Sequence, residues 1–162
     1  MKIRKALLSD LDKIMNIYKI AKEYMWENGN KMQWNSNYPS KEIIKNDIDN
    51  KVCYVFELDD DIHAVFSFII GEDDTYRFIY NGSWISDSIY GTIHRIASDG
   101  KIKGIFSMCI KFCKKEISHL RIDTHLDNKI MQYLIEKNGF IKCGTIYVKD
   151  GTSRIAYEYY EK

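Results

Sequence analysis

Apolar positions along the chain change period several times, and each change marks an element. Lys2–Leu7 reads as a short first strand. Apolar residues then recur at Leu11, Ile14, Met15, Ile17, Tyr18 and Ala21, the i, i+3, i+4 spacing of one helical face. Ser9 is the expected N-cap, and the helix ends near Gly29-Asn30, after Glu27. Lys31–Ser40 holds Trp34 and Pro39 and reads as a loop, with Ser40 capping a second helix whose Ile43-Ile44 pair is spaced against Ile48. Val52–Leu58 and Ile62–Ile70 are strands across Asp59-Asp60-Asp61, a hairpin signal. Gly71–Tyr90 follows no period. Rich in turn residues and aromatics, it is either a loop over a site or a continuation of the hairpin.

Regular patterning resumes with a strand over Thr92–Ser98 and a helix over Lys103–Glu116. A strand over Leu120–Thr124 follows, then a helix opened by Asp127 or Asn128 and running to Lys137. Phe140–Val148 and Ser153–Tyr160 close the chain around the turn Lys149-Asp150-Gly151. Strands occur both as hairpins and around helices, which predicts an α+β fold on a mixed sheet. No Gly/Ser/Pro linker, repeat or low-complexity tract interrupts the pattern, so a single domain over residues 1–162 is expected.

Bulk properties narrow the functional classes. With 24 Lys+Arg against 23 Asp+Glu the net charge is +1, so no global field favours nucleic acid or an anionic membrane. The longest apolar runs, Ala64–Ile70 and Ile105–Ile110, are too short to span a bilayer, and MKIRKALL has no signal-peptide character; a cytoplasmic protein is expected. Cys53, Cys109, Cys113 and Cys143 form no CxxC pair and the histidines lack zinc-finger spacing, so reduced, packed thiols and no metal site are expected. No GxGxxG follows an N-terminal strand, which argues against a dinucleotide-binding domain.

The segment Gly91–Phe140 carries the strongest functional signal. A loop that enters a helix with small residues leaves backbone N–H groups pointing outward, where the helix dipole adds positive charge and phosphate binds readily. That loop, Lys101-Ile102-Lys103-Gly104-Ile105-Phe106, resembles the Gln/Arg-x-x-Gly-x-Gly/Ala phosphate loop of the GNAT superfamily of acyl-CoA-dependent N-acyltransferases. Gly104 is kept, Lys101 replaces Gln or Arg, and Phe106 replaces the final small residue. Asn128 opening a helix, with Gly139-Phe140 closing it twelve residues on, is similar to a second GNAT pattern, and the likeness covers nearly the whole chain.

The resemblance implies a GNAT-like three-layer fold, with a mixed, mostly antiparallel sheet splayed between its fourth and fifth strands and flanked by helices. It implies acetyl-CoA as acyl donor, with Ile96, Ala97 and Ser98 pairing with the pantetheine arm, residues 101–106 holding the pyrophosphate, and Asn128 bonding the cofactor. The acceptor would be a small-molecule amine or a peptide, bound near Trp34 and Tyr38; the same aromatics could instead simply pin the loop. Monomer or homodimer is open.

Amine acylation needs a base, a polarised thioester carbonyl and a way to stabilise the leaving thiolate. Many GNAT enzymes place a Tyr acid seven residues after the helix-opening Asn, and here that position is Ile135. Tyr147 is the substitute candidate. His94 and His125 are base candidates, suited by their titration range; alternation along the strand sets His94 on the face of Ile96 and Arg95 on the other, as a structural residue. Asp123 is a candidate partner for a strand-end histidine, and Asp47 is expected to be a solvated surface charge. A CoA-binding module without transfer activity is the alternative, favoured by Ile135 and Phe106.

Overall fold

The computed structural model describes residues 1–162. The elements are β1 (Lys2–Lys5), α1 (Leu11–Glu27), α2 (Lys41–Asp49), β2 (Cys53–Leu58), β3 (Asp61–Ile70), β4 (Gly91–Ser98), α3 (Ile105–Glu116), β5 (His119–Thr124), α4 (Lys129–Lys137), β6 (Ile141–Tyr147) and β7 (Ser153–Tyr160). Seven strands form one mixed sheet in the order β1-β2-β3-β4-β5-β7-β6. The chain forms two compact units: residues 1–68 with 94–106, and residues 69–93 with 107–162.

In the first unit β1, β2 and β3 are antiparallel neighbours. The β2–β3 hairpin turns through Asp59 and Asp60, both at positive φ (+53° and +62°), between the paired Leu58 and Asp61. Two consecutive left-handed residues make the turn whose twist matches the strands, and the Asp side chain tolerates that conformation. Helix α1 buries Leu11, Ile14, Ile17 and Tyr18, the stripe set by the sequence spacing, against Ile44, Ile48, Val55, Val65 and Ala97. Each fully buried aliphatic side chain contributes about 1.5–3 kcal/mol relative to exposure.

Entry into α1 differs from the expected Ser9 cap. A 3₁₀ turn spans Leu8–Asp10, and the Asp10 carboxylate accepts the Leu7 N–H at 2.7 Å while Arg4 donates to it at 2.8 and 3.1 Å. Asp10 wins because it satisfies the chain entry and the buried face of Arg4 together. At α2 the expected cap forms, with Ser40 Oγ accepting the Ile43 N–H at 3.2 Å.

In the second unit β7 lies between β5 and β6 and is antiparallel to both. Six residue pairs join β5 to β7, whereas the parallel β4–β5 ladder consists of Gly91↔Leu120 and Thr92↔Arg121. That ladder ends after Thr92. The stretch 71–90 does not extend the hairpin; a 3₁₀ turn at Asp74–Tyr76 starts a loop that packs on β6 and β7. Tyr80 bridges Thr145, and Trp84 Nε1 donates to the Tyr76 carbonyl at 2.8 Å.

Buried Glu158 anchors the same loop. It accepts from the Ile85 N–H, from His119 Nε2 at 2.6 Å and from Arg121 Nε at 2.7 Å, and the Arg121 guanidinium lies over the Trp84 and Tyr90 rings. Gly82 makes the approach to β6 possible, since a Cβ there would sit 1.8 Å from the Cys143 carbonyl oxygen. All four cysteines are unpaired and buried. No helix is long and apolar enough to cross a membrane.

Candidate active site

In the first unit β4 leads into a loop that opens α3. Ser98 Oγ accepts the Gly100 N–H at 3.3 Å, and Asp99 Oδ1 accepts the Lys101 N–H at 3.0 Å. Asp99 is itself held, its Oδ2 2.8 Å from His63 Nδ1 and its N–H donating to the His63 carbonyl at 3.0 Å. Side-chain acceptors thus shape the loop, and His63 on β3 fixes the residue that shapes it. The sequence offered one signal for this pair, a histidine standing between the apolar Ile62 and Ala64 of a strand.

Gly100, Lys101, Lys103 and Gly104 are exposed, while Ile105 and Phe106 turn into the core; Phe106 is 5% exposed. Gly104 has φ +79° and nothing within 4 Å of the position a Cβ would take. Glycine adopts that conformation without steric cost, and the backbone there stands open to close approach. Two lysines beside a bare helix entrance supply charge and donors that fit phosphate oxygens. Phe106, large where the GNAT pattern has a small residue, is accommodated because its ring is buried in the first turn of α3.

Upstream of the loop, β4 departs from regular strand geometry. Arg95 has φ +53°. A left-handed residue interrupts side-chain alternation, so alternation does not set His94 and Ile96 on a common face as the sequence pattern suggested. Ile96 and Ser98 are partly exposed, Ala97 is buried, and His94 is half-buried. The Arg95 side chain donates to Asp47 Oδ2 from Nη2 at 2.6 Å and from Nε at 3.1 Å, and Ser67 Oγ donates to the same oxygen at 2.7 Å. Asp47 is therefore a buried ion-pair partner, not the solvated charge expected of it. The missed signal is local: both residues are charged positions flanked by buried apolar ones, Ile48 after Asp47, and Ile93 and Ala97 around Arg95.

Trp34 and Tyr38 belong to this unit as well. Trp34 packs edge-on to Tyr18 with ring centroids 5.7 Å apart and lies 6.3 Å from Tyr38, whose Oη accepts from Arg95 Nη1 at 3.3 Å. Trp34 is buried and Tyr38 partly so.

The remaining candidates lie in the second unit. Asn128 caps α4, its Oδ1 accepting the Met131 N–H at 3.0 Å. His125 Nδ1 accepts the Asp127 N–H at 3.0 Å, so its ring proton resides on Nε2. Burial, and secondarily Arg154, hold the His125 pKa below its ordinary value although Asp127 pulls the other way. Tyr147 is 48% exposed and stacks edge-on with Tyr80 at 5.4 Å. Ile135 is fully buried. Asp123 accepts from the Tyr76 hydroxyl at 2.6 Å.

Solved structures share this architecture over the full chain. A GNAT-family acetyltransferase from Streptococcus agalactiae matches with a TM-score of 0.89 at 29% identity, covering 99% of this chain and 95% of that one. The chain is a GNAT domain. A Staphylococcus aureus structure covers both chains completely at 27% identity and a TM-score of 0.70. The ribosomal-protein-alanine N-acetyltransferase of Brucella melitensis shares the fold at 17% identity and a TM-score of 0.65, over 99% of this chain and all of that one. No protein-family profile and no curated sequence relative matches. The neighbours support acyl transfer to an amine as the activity of this GNAT domain.

Proposed function

We propose that this GNAT domain transfers an acetyl group from acetyl-CoA to a primary amine, either of a small molecule or of a protein N-terminus or lysine. The observation that carries the reading is the α3 entrance: an exposed loop with Gly104 at φ +79°, open space above it, and Lys101 and Lys103 alongside. In this reading the loop backbone and lysines bind the diphosphate, and Ile96, Ala97 and Ser98 present backbone groups to the pantetheine arm. Asn128 adds a polar contact beyond its capping role.

The chemistry joins the amine nitrogen to the thioester carbonyl carbon and breaks the C–S bond. The nitrogen gives up a proton, and one proton is taken by the departing thiolate. His94, on the strand that bears the polarising amide, is assigned as base. His125, whose Nδ1 accepts the Asp127 N–H, is the second candidate. Tyr147, whose exposed phenol carries an O–H that can donate, is assigned as the proton donor to sulfur. Trp34 and Tyr38 line the acceptor side.

Ile135, fully buried where many GNAT enzymes place the tyrosine acid, favours a second reading, a CoA-binding module without turnover. Free-thiol detection with acetyl-CoA and a panel of small amines, lysine peptides and peptide N-termini distinguishes the two. Amine-dependent thiol release supports transfer, and CoA binding without release supports the module. A melting temperature unmoved by millimolar CoA would remove both, since a ligand at a hundred times its Kd stabilises by about 2.7 kcal/mol.

A further inference from the structure

Arg95 occupies a backbone conformation foreign to a strand, and four elements hold it there. A left-handed non-glycine residue costs on the order of 1–2 kcal/mol and persists where its surroundings over-determine it. Asp47 from α2 takes the guanidinium at 2.6 and 3.1 Å, and Ser67 from β3 donates to that same carboxylate oxygen. Tyr38 from the aromatic loop accepts at 3.3 Å, and Tyr18 from α1 donates its hydroxyl to the Arg95 carbonyl at 2.7 Å. The Arg95 and Asp47 side chains are 14% and 8% exposed, so the pair is desolvated enough to be sensitive to its geometry.

The Tyr18 bond determines the direction of a second group. The Arg95 carbonyl and the Ile96 N–H belong to one peptide plane, and in a trans peptide they point in opposite directions. With the carbonyl fixed on Tyr18, the Ile96 N–H is aimed away from α1. Resting on the acetyl-CoA reading above, we infer that Arg95 is a positioning residue: its anchored left-handed turn aims the Ile96 amide at the thioester carbonyl oxygen, and its bond to Tyr38 couples that aim to the acceptor loop. Arg95 does not touch the reacting atoms, because its guanidinium is spent on Asp47 and Tyr38. A glycine would take φ +53° without strain but would have no tie to either. The coupling is physical: Tyr38 packs on Trp34, and Trp34 packs on the Tyr18 ring that holds the carbonyl. Movement of that aromatic set on acceptor binding would move both anchors of the turn.

The test uses acetyl-CoA carrying ¹³C at the thioester carbonyl, with the bound carbonyl stretch read by infrared difference spectroscopy. A polarised carbonyl absorbs at lower frequency than the free thioester. Two variants isolate the effect: Arg95→Gly keeps the backbone conformation and deletes the anchor, and Tyr18→Phe deletes only the hydroxyl, serving also should Arg95→Gly fold poorly. Calorimetric acetyl-CoA affinity is expected to stay within about threefold in both, because the 99–106 loop is untouched. The carbonyl shift is expected to shrink, and kcat to fall about 10- to 100-fold with KM for acetyl-CoA held, the signature of one weakened oxyanion donor. Variants that keep both the wild-type carbonyl frequency and the wild-type kcat would overturn the inference alone. So would a parallel loss of affinity and melting temperature with the carbonyl shift intact, which describes a merely structural residue. Wild-type protein that binds no acetyl-CoA would overturn the acetyl-CoA reading, and this inference with it.

Discussion

Replacing Asp47 by Ala tests the buried network most directly, because one oxygen carries it. Asp47 Oδ2 receives Nη2 and Nε of Arg95 and the hydroxyl of Ser67, at 2.6, 3.1 and 2.7 Å. Alanine leaves the guanidinium buried with Tyr38 as its remaining partner in the network and leaves Ser67 Oγ without its acceptor. Breaking a buried pair by removing one partner costs about 3–5 kcal/mol. A chain of 162 residues unfolds with an entropy of roughly 0.34 kcal/mol/K at about 2.1 cal/mol/K per residue, so the melting temperature should drop by roughly 9–15 °C. The double variant Asp47→Ala/Arg95→Met removes the stranded charge as well and should recover part of that loss, a coupling of about 1–3 kcal/mol. Calorimetric melts of wild type, both single variants and the double variant close the cycle. Strict additivity, or a drop below about 3 °C for Asp47→Ala, would refute the claim that these groups are desolvated partners.

Gly82→Ala should destabilise by about 3 kcal/mol or more in urea titrations, since its Cβ would fall 1.8 Å from the Cys143 carbonyl oxygen and a backbone atom cannot move aside cheaply; a cost under about 0.5 kcal/mol would contradict the loop's seating on β6. Asn128→Ala should lose about 1 kcal/mol, roughly 3 °C in the melting temperature, through loss of the cap on Met131, whereas Asn128→Asp should retain it. Asp10 titrates below its ordinary value because Arg4 holds its charged form. Its contribution is thus complete above the unfolded pKa of about 3.9 and is lost as pH falls through the lower folded value. The melting-temperature gap between wild type and Asp10→Asn should narrow when pH is taken from about 6 to about 3, and a constant gap would show that the charge on Asp10 contributes nothing. Gly104→Ala should weaken CoA binding at least about tenfold by calorimetry, because the strain at φ +79° and the added methyl group both fall on the diphosphate cradle.

Periodicity and turn chemistry, which are local, were readable from residues alone. The 3.6-residue stripe of α1, the Ser40 and Asn128 caps, the Asp59-Asp60 hairpin and the glycine at the mouth of α3 each follow from neighbours a few positions apart, where backbone sterics and hydrogen bonding act. What pairs distant residues did not show. Placement of β7 between β5 and β6, the short β4–β5 ladder and the seating of 71–90 on β6 depend on which edges and faces meet after collapse, which no local pattern encodes. Arg95 makes the distinction sharpest: alternation called for an ordinary strand position, yet Asp47, Tyr18 and Tyr38, between 48 and 77 residues away, hold it in a left-handed turn. A bare chain pays the cost of that conformation with no return, so only the folded surroundings can select it.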